Sequence, residues 1–253
     1  MADIFSSARL LISGAREDIF KIDRQIEVFF HSKPYAQVID RDREAGIDIH
    51  KLKMIKKLPA LLGRDVSRIA SDLRSALDQT GFACAKAAGN RRLKYTYFPI
   101  AASEAQLNSV IKGRCKDLPA EIATLFRSFN AYNGGDNLLW SMNEVANGIK
   151  HRTMVPIGHG IGSAIIHNLY AEAIHEMRMP PIWDTTKDEI VLLSTPHGTK
   201  TSYDINLGFA VAFGEIEPIK GQHVTPILSM MATKVEGIIG ATEAKARSRG
   251  LTT

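Results

Sequence analysis

Apolar side chains recur every three or four positions through the first thirty residues, with charged residues between them. They are Ile4, Ala8, Leu11, Ala15, Ile19, Ile22, Ile26 and Phe29. This spacing places them on one face of a helix, which Pro34 is expected to end. Because the apolar face runs for about seven turns, we expect this helix to span the domain or to meet a partner chain.

Residues 35–56 lack the helical period and form two short runs around a charged turn that contains Gly46. Two such runs on either side of a glycine turn predict a β-hairpin.

The helical period returns in four segments in the middle of the chain. These are residues 58–89, 103–112, 119–129 and 136–152. On the polar side of the first segment, Arg68 and Asp72 are spaced for an ion pair. Asp136 is placed to cap the last segment, because its carboxylate can accept hydrogen bonds from N–H groups of the first turn.

The second half of the chain contains strand patterns. Residues 202–213, SYDINLGFAVAF, alternate strictly, which predicts a strand whose odd-numbered residues are buried against the helices. Residues 189–194 predict a second strand. Residues 171–179 fit a strand or a helix, and the prolines that follow favour the strand. Thr225 followed by proline predicts an N-cap that opens a closing helix.

Together these elements predict a single α+β domain over residues 1–253, in which a helical bundle packs with a small antiparallel β-sheet. The helical core covers about residues 58–152, the strands about residues 35–56 and 168–214, and the closing helix about residues 225–246. One sheet is the most economical arrangement, because the strands flank the helical middle in sequence.

The composition is that of a globular protein, with 45% apolar and 7% aromatic residues. Lys and Arg number 32 and Asp and Glu 27, and the net charge of +5 favours anionic partners without indicating nucleic acid on its own. Cys84 and Cys115 fit neither a zinc site nor a disulfide framework, and the histidines show no metal-ligand spacing, so no metal or cofactor is expected. No signal or membrane-spanning segment is recognised, which favours a cytoplasmic location and no membrane partner.

The segment NGIKHRTM is the first candidate for chemistry. Asn143, Asn147 and His151 recur every four residues and share one helix face, and Lys150 and Arg152 flank the histidine. The two cations favour a neutral imidazole, which can act as a general base toward a ribose 2′-hydroxyl while the cations hold the phosphate. The alternative is a helix C-terminus whose exposed carbonyls are stabilised by cationic side chains.

Two further groups are candidate binding residues. Arg91, Arg92 and Lys94 are interleaved with aromatic residues in RRLKYTYF, a mixture that can hold phosphates and stack bases of a single strand. The alternative is a connecting segment whose rings anchor it to the core. Arg74 and Asp78 could reach the candidate histidine, with the carboxylate orienting its imidazole, or they could form an exposed salt bridge.

The chain carries RSALD, FPI, LW and a helix end Asn-x-x-Lys-His-Arg, in that order, within about residues 58–155. This combination resembles a group of uncharacterised bacterial proteins whose helical part is similar to HEPN domains. The resemblance implies a helical bundle that forms a homodimer and acts as a metal-independent ribonuclease in toxin or phage-defence systems. It therefore implies an RNA-binding or RNA-cleaving protein, or alternatively a non-catalytic protein-interaction module on the same scaffold.

HEPN ribonucleases use an Arg-x(4–6)-His motif at the dimer interface. The resemblance gives His151 the role of that histidine and Asn147 that of a polar companion. The arginine has no counterpart, because no Arg lies between Arg127 and His151. The formal match from Arg152 to His159 contains a proline, which interrupts a helix. Whether the chain is an enzyme is therefore left open between the two alternatives.

Overall fold

The computed structural model describes residues 3–90, 93–151, 157–177, 183–184, 186–214 and 216–251, and for residues 149–151, 157–165, 205–207 and 209 it describes the backbone alone. Its helices are α1 (Ser6–His31), α2 (Leu62–Ala87), α3 (Glu104–Arg114), α4 (Ala120–Ser128), α5 (Asn137–His151) and α6 (Val224–Ser248). Its strands are β1 (Tyr35–Asp42), β2 (Ile47–Met54), β3 (Ile157–Ala171), β4 (Glu176–Met177), β5 (Trp183–Asp184), β6 (Glu189–Pro196) and β7 (Thr201–Phe213). The α+β class and the hairpin at residues 35–56 are confirmed.

The main core lies between α1, α2, α5 and α6, with α2 in contact with the other three. Fully buried side chains of α2 recur at three- and four-residue steps and include Leu62, Val66, Ile69, Leu73 and Leu77. Because α2 is covered on several sides, it buries more of its surface than a helix with one apolar face. This packing sets which side of α2 faces α5.

The strands form two sheets, so the expectation of one sheet is wrong. In the larger sheet the strand order is β1-β2-β6-β4, with β5 also paired to β6, and all of these pairs are antiparallel. After β6 the chain leaves this sheet at the turn that contains Gly198, where φ is +78°, and β7 pairs with β3 in a second sheet. The glycine-rich segment HGIGS, residues 159–163, lies within β3.

The predicted alternation of residues 202–213 is confirmed only in part. Val211 and Phe213 are buried in the helical core, as expected, but Ala212 between them is buried as well. Tyr203 packs on the larger sheet rather than on a helix. The side chains of Ile205, Leu207 and Phe209 lie outside the described part of the strand. In residues 171–179, the described backbone contains strand residues and no helix.

Two predicted helix starts have different outcomes. The cap on α5 is confirmed, because the Oδ1 of Asp136 accepts a hydrogen bond from the N–H of Leu139 at 3.0 Å. α6 begins at Val224, so Thr225 lies inside the helix and the predicted cap is wrong. Proline at the third helical position is tolerated, because N–H groups of the first turn have no partner within the helix.

The predicted ion pair between Arg68 and Asp72 is also wrong. Arg68 reaches across to Asp18 on α1, where a guanidinium nitrogen lies 2.6 Å from the carboxylate. α1 packs on α2, so a partner on the neighbouring helix replaces the one that lies a turn away on the same helix. Within the described residues, no helix is long and apolar enough to cross a membrane.

Candidate functional site

The contact between α2 and α5 brings together three of the predicted site residues. The guanidinium of Arg74, on α2, donates a hydrogen bond to the side-chain oxygen of Asn143, on α5. It also donates to the carbonyl oxygen of Phe98 at 3.3 Å. The Nε of Arg74 lies 3.6 Å from Asp78. A cation therefore lies beside the polar face of α5 that carries the predicted site residues Asn143 and Asn147.

The Arg74 and Asp78 pair is half-buried, so the interpretation as a fully exposed salt bridge is wrong. The side chains of Arg74 and Asp78 are 14% and 26% exposed. Burial lowers the pKa of Arg74 and raises the pKa of Asp78, because both charged forms lose hydration. The Nε of Arg74 has no hydrogen-bond partner within the described residues. The pair is thus an ionic contact with incomplete hydrogen bonding.

The carboxylate of Asp78 has a structural partner. Its Oδ1 accepts a hydrogen bond from the backbone N–H of Phe98 at 2.8 Å. The predicted role of Asp78, orienting an imidazole, is not what this oxygen does. Instead Asp78 and Arg74 hold the backbone of the segment around Phe98 from both its N–H and its carbonyl. The polar side of α2 therefore positions this segment.

The end of α5 is described less completely. Asn147 is half-buried, and because it lies one turn after Asn143, it shares the face that looks toward α2. On the same side, the hydroxyl of Ser71 donates to the carbonyl of Ala146 at 3.4 Å. The backbone of Lys150 and His151 belongs to the last turn of α5, and their side chains lie outside the described atoms.

Three of the predicted cations fall outside the described residues altogether. They are Arg91, Arg92 and Arg152. Their roles, and that of the His151 imidazole, stay predictions.

The segment KYTYF, residues 94–98, presents alternate side chains to the core and to solvent. Thr96 and Phe98 are buried, whereas Tyr95 is 42% and Tyr97 49% exposed. The expectation that the rings only anchor the segment holds for Phe98 and fails for the two tyrosines. Their hydroxyphenyl groups are available at the surface.

A second segment pairs with this one and adds cations. The N–H of Tyr97 donates to the carbonyl of Arg114 at 3.0 Å, and the N–H of Tyr95 donates to the Asp117 carboxylate at 3.1 Å. Four exposed cations belong to the two paired segments or to the end of α3 beside them. They are Lys94, Lys112, Arg114 and Lys116. We call these four cations and the two tyrosines the aromatic surface.

Gly81 on α2 permits the close approach of this segment. A Cβ atom at Gly81 would lie 2.8 Å from the carbonyl oxygen of Thr96, which is closer than packed atoms tolerate. Glycine is therefore required here by a neighbouring backbone and not by its own φ angle. The sequence offered no signal for this contact beyond the glycine itself.

Cysteine and metal chemistry find no support in the described residues. Cys84 and Cys115 are buried, and burial raises the pKa of each thiol to about 12, so neither is a thiolate at neutral pH. The described side chains contain no group of three or more His, Cys, Asp or Glu residues placed to hold a metal ion.

A second polar group was missed by sequence reasoning. Asp48 and His50 are buried on the inner face of β2, and His197, in the turn after β6, contacts Asp48. Two polar residues at alternate positions of a strand that continues with buried Leu52 could have indicated a polar inner face. The partner on β6 depends on the strand register, which no local pattern specifies.

Comparisons with protein-family models, with curated proteins and with solved structures find no match to this chain.

Proposed function

We propose that this protein binds single-stranded RNA along the aromatic surface. The observation that carries the proposal is the exposure of Tyr95 and Tyr97 in a segment paired with another that supplies cations. Exposed rings stack with bases, and cations along the same path neutralise phosphates, so the two together suit a single strand whose bases are unpaired. Duplex RNA would offer phosphates but keep its bases out of reach of the rings.

Anchoring of the aromatic surface supports the same proposal. Arg74 and Asp78 hold the backbone at Phe98, whose side chain is buried. A ring platform that is fixed before binding loses little conformational entropy when a base stacks on it. Binding should therefore depend on the tyrosine rings and also on the buried residues beneath them.

The experiment is a fluorescence-anisotropy titration of a short labelled single-stranded RNA. Tyr97→Ala should weaken binding by about tenfold, since stacking contributes about 1–3 kcal/mol per base. Tyr97→Phe should bind nearly as well as the wild type, because the ring is retained. The matched control is Tyr170→Ala, which removes a 56% exposed tyrosine from β3. Equal affinity in Tyr97→Ala and Tyr170→Ala would contradict the proposal.

Salt dependence tests the cations separately. Replacing Arg114 with Ala should lower the slope of log affinity against log salt by about 0.7, the value for one phosphate contact with a single strand. An unchanged slope in Arg114→Ala would show that Arg114 makes no contact with an RNA phosphate.

Cleavage of RNA at the end of α5 is a second candidate function. It is favoured by the hydrogen bond from Arg74 to Asn143, which places a cation beside the polar face that continues to Asn147 and His151. The neutral imidazole of His151 would act as a general base without a metal ion. This candidate function presupposes a HEPN-like helical bundle that forms a homodimer.

Replacing His151 with Ala distinguishes catalysis from helix capping. A catalytic imidazole should cost on the order of 10² to 10⁴ in cleavage rate when removed. A capping imidazole should cost only about 0.3–1 kcal/mol of stability. The assay uses mixed single-stranded RNA without added metal. If the wild type does not cleave RNA, the result favours the non-catalytic interaction module. Light scattering tests the homodimer separately, and a strict monomer would contradict it.

A further inference from the structure

The turn between β6 and β7 places a histidine against a buried carboxylate of β2. Asp48 lies opposite Thr195 in the strand register, so the turn that follows β6 folds over the end of β2. The backbone N–H of His197 donates to the carbonyl of Gly46 at 2.9 Å, which fixes the start of this turn. Gly198, with φ at +78°, allows the chain to reverse there.

Asp48 is held by hydrogen bonds on both of its oxygens. Its Oδ1 lies 2.9 Å from the Nδ1 of His197, and its Oδ2 accepts from the N–H of Gly198 at 3.3 Å. The hydrogen bond with His197, joined by that of Gly198, holds the pKa of Asp48 below its usual value. The residue is only 8% exposed. An ionised carboxylate in this position can only accept, so the proton lies on Nδ1 of His197.

With the proton on Nδ1, the unprotonated nitrogen of His197 is Nε2. The side chain is 54% exposed, and since Nδ1 contacts Asp48, Nε2 is the ring nitrogen left to meet a substrate. His50 offers a contrast on the same strand face. It is 5% exposed, with the hydroxyls of Tyr203 at 3.4 Å and Thr195 at 3.5 Å from its two nitrogens. His50 is therefore enclosed, and His197 is open.

Arg41 adds a positive charge beside the same carboxylate. Its Nε lies 3.7 Å from the Asp48 Oδ1 that also contacts His197, and its side chain is 67% exposed. An exposed guanidinium next to an exposed imidazole can hold an anionic group while the imidazole moves a proton. The arrangement differs from a plain surface ion pair because the carboxylate that joins the two is buried.

We propose that His197 and Asp48 form an acid–base dyad that hydrolyses carboxylic esters carrying a negative charge, with Arg41 binding that charge. Nε2 of His197 takes a proton from water as the water oxygen bonds to the ester carbonyl carbon. The bond from that carbon to the alcohol oxygen then breaks, and the imidazolium returns its proton to the leaving alcohol. Asp48 stays ionised and stabilises the imidazolium. The dyad does not depend on the aromatic surface or on RNA.

The test follows release of 4-nitrophenolate from two probes, the neutral 4-nitrophenyl acetate and the anionic 4-nitrophenyl hemisuccinate. His197→Ala should lower kcat/KM for both by about 10² or more, the usual share of a general base. His197→Gln can still donate to Asp48 but has no basic nitrogen, so it should fold and be equally inactive. Asp48→Asn should lose at least about tenfold through the wrong tautomer.

Two further variants complete the test. Arg41→Ala should reduce the preference for the anionic ester over the neutral one by about tenfold, as expected when a charged hydrogen bond is removed. His175→Ala removes another exposed imidazole, without a carboxylate partner among the described residues, and should turn over both esters like the wild type. Turnover in the wild type no faster than in His197→Ala or His197→Gln would overturn the dyad. An unchanged ester preference in Arg41→Ala would overturn the substrate class.

Discussion

The helical core and the five-stranded sheet bury their interiors with different kinds of side chain. Around α2 the buried cluster is apolar and continuous across α1, α5 and α6. Among the described residues of the sheet, the buried apolar cluster comprises Leu52, Ile190 and Leu192, and the same face of β2 carries Asp48 and His50. The helices thus stabilise the molecule through apolar burial, whereas the sheet keeps polar groups in fixed positions through hydrogen bonds.

The largest test of this comparison removes one buried leucine from each region. Leu73→Ala, in α2, should lower the free energy of unfolding by about 2–5 kcal/mol, because dense packing prevents the cavity from collapsing. Leu52→Ala should fall at the low end of that range, because its cluster is small and can rearrange. Urea unfolding measures both. If Leu52→Ala costs as much as Leu73→Ala, the sheet is as tightly packed as the helices and the comparison fails.

Two glycines in helices give a second test with opposite signs. Gly81→Ala should destabilise the protein by about 1–3 kcal/mol, because its Cβ would collide with the backbone at Thr96. It should also weaken RNA binding, since that backbone carries the exposed tyrosines. Gly14→Ala meets no atom within 4 Å and should stabilise α1 by about 0.5–1 kcal/mol. If both variants change the free energy of unfolding in the same direction, the backbone at Thr96 can move away from residue 81.

The helices could be predicted because each carries its own apolar period and, for α5, its own cap at Asp136. The partner of each strand could not, because pairing joins residues far apart in sequence. The alternation of residues 202–213 indicates a strand but cannot show that β7 pairs with glycine-rich β3 instead of β6. Some contacts of the candidate site could likewise be predicted from sequence and others could not. The Arg74 and Asp78 pair follows from helical spacing, while the contacts with Phe98 and Asn143 require the packed fold.

Asp136 provides a smaller test of a feature that sequence alone identified. Asp136→Ala should cost about 1 kcal/mol, because it removes the cap on the N–H of Leu139. It also removes an ion pair, since the ammonium of Lys234 lies 2.5 Å from the other carboxylate oxygen. Asp136→Asn keeps an oxygen acceptor and loses the charge, so it should retain most of the stability. An Asn variant as unstable as the Ala variant would assign the effect to Lys234 instead of the cap.

The smallest expected effect is a difference in slope, and it contrasts half-buried Asp78 with buried Asp48 directly. Burial raises the pKa of Asp78 above its ordinary value of 3.8, so between 3.8 and the raised pKa the folded state holds more protons than the unfolded state. Its contribution to stability therefore falls as the pH rises through that window. Hydrogen bonding to His197 lowers the pKa of Asp48, so its contribution is present above 3.8 and is lost as the pH falls through the lowered pKa. Urea unfolding at several acidic pH values should show the stability of the wild type relative to Asp78→Asn decreasing with pH, and relative to Asp48→Asn increasing. Slopes of the same sign would mean that the two carboxylates have similar surroundings, and the contrast between a desolvated aspartate in the helices and a hydrogen-bonded one in the sheet would be lost.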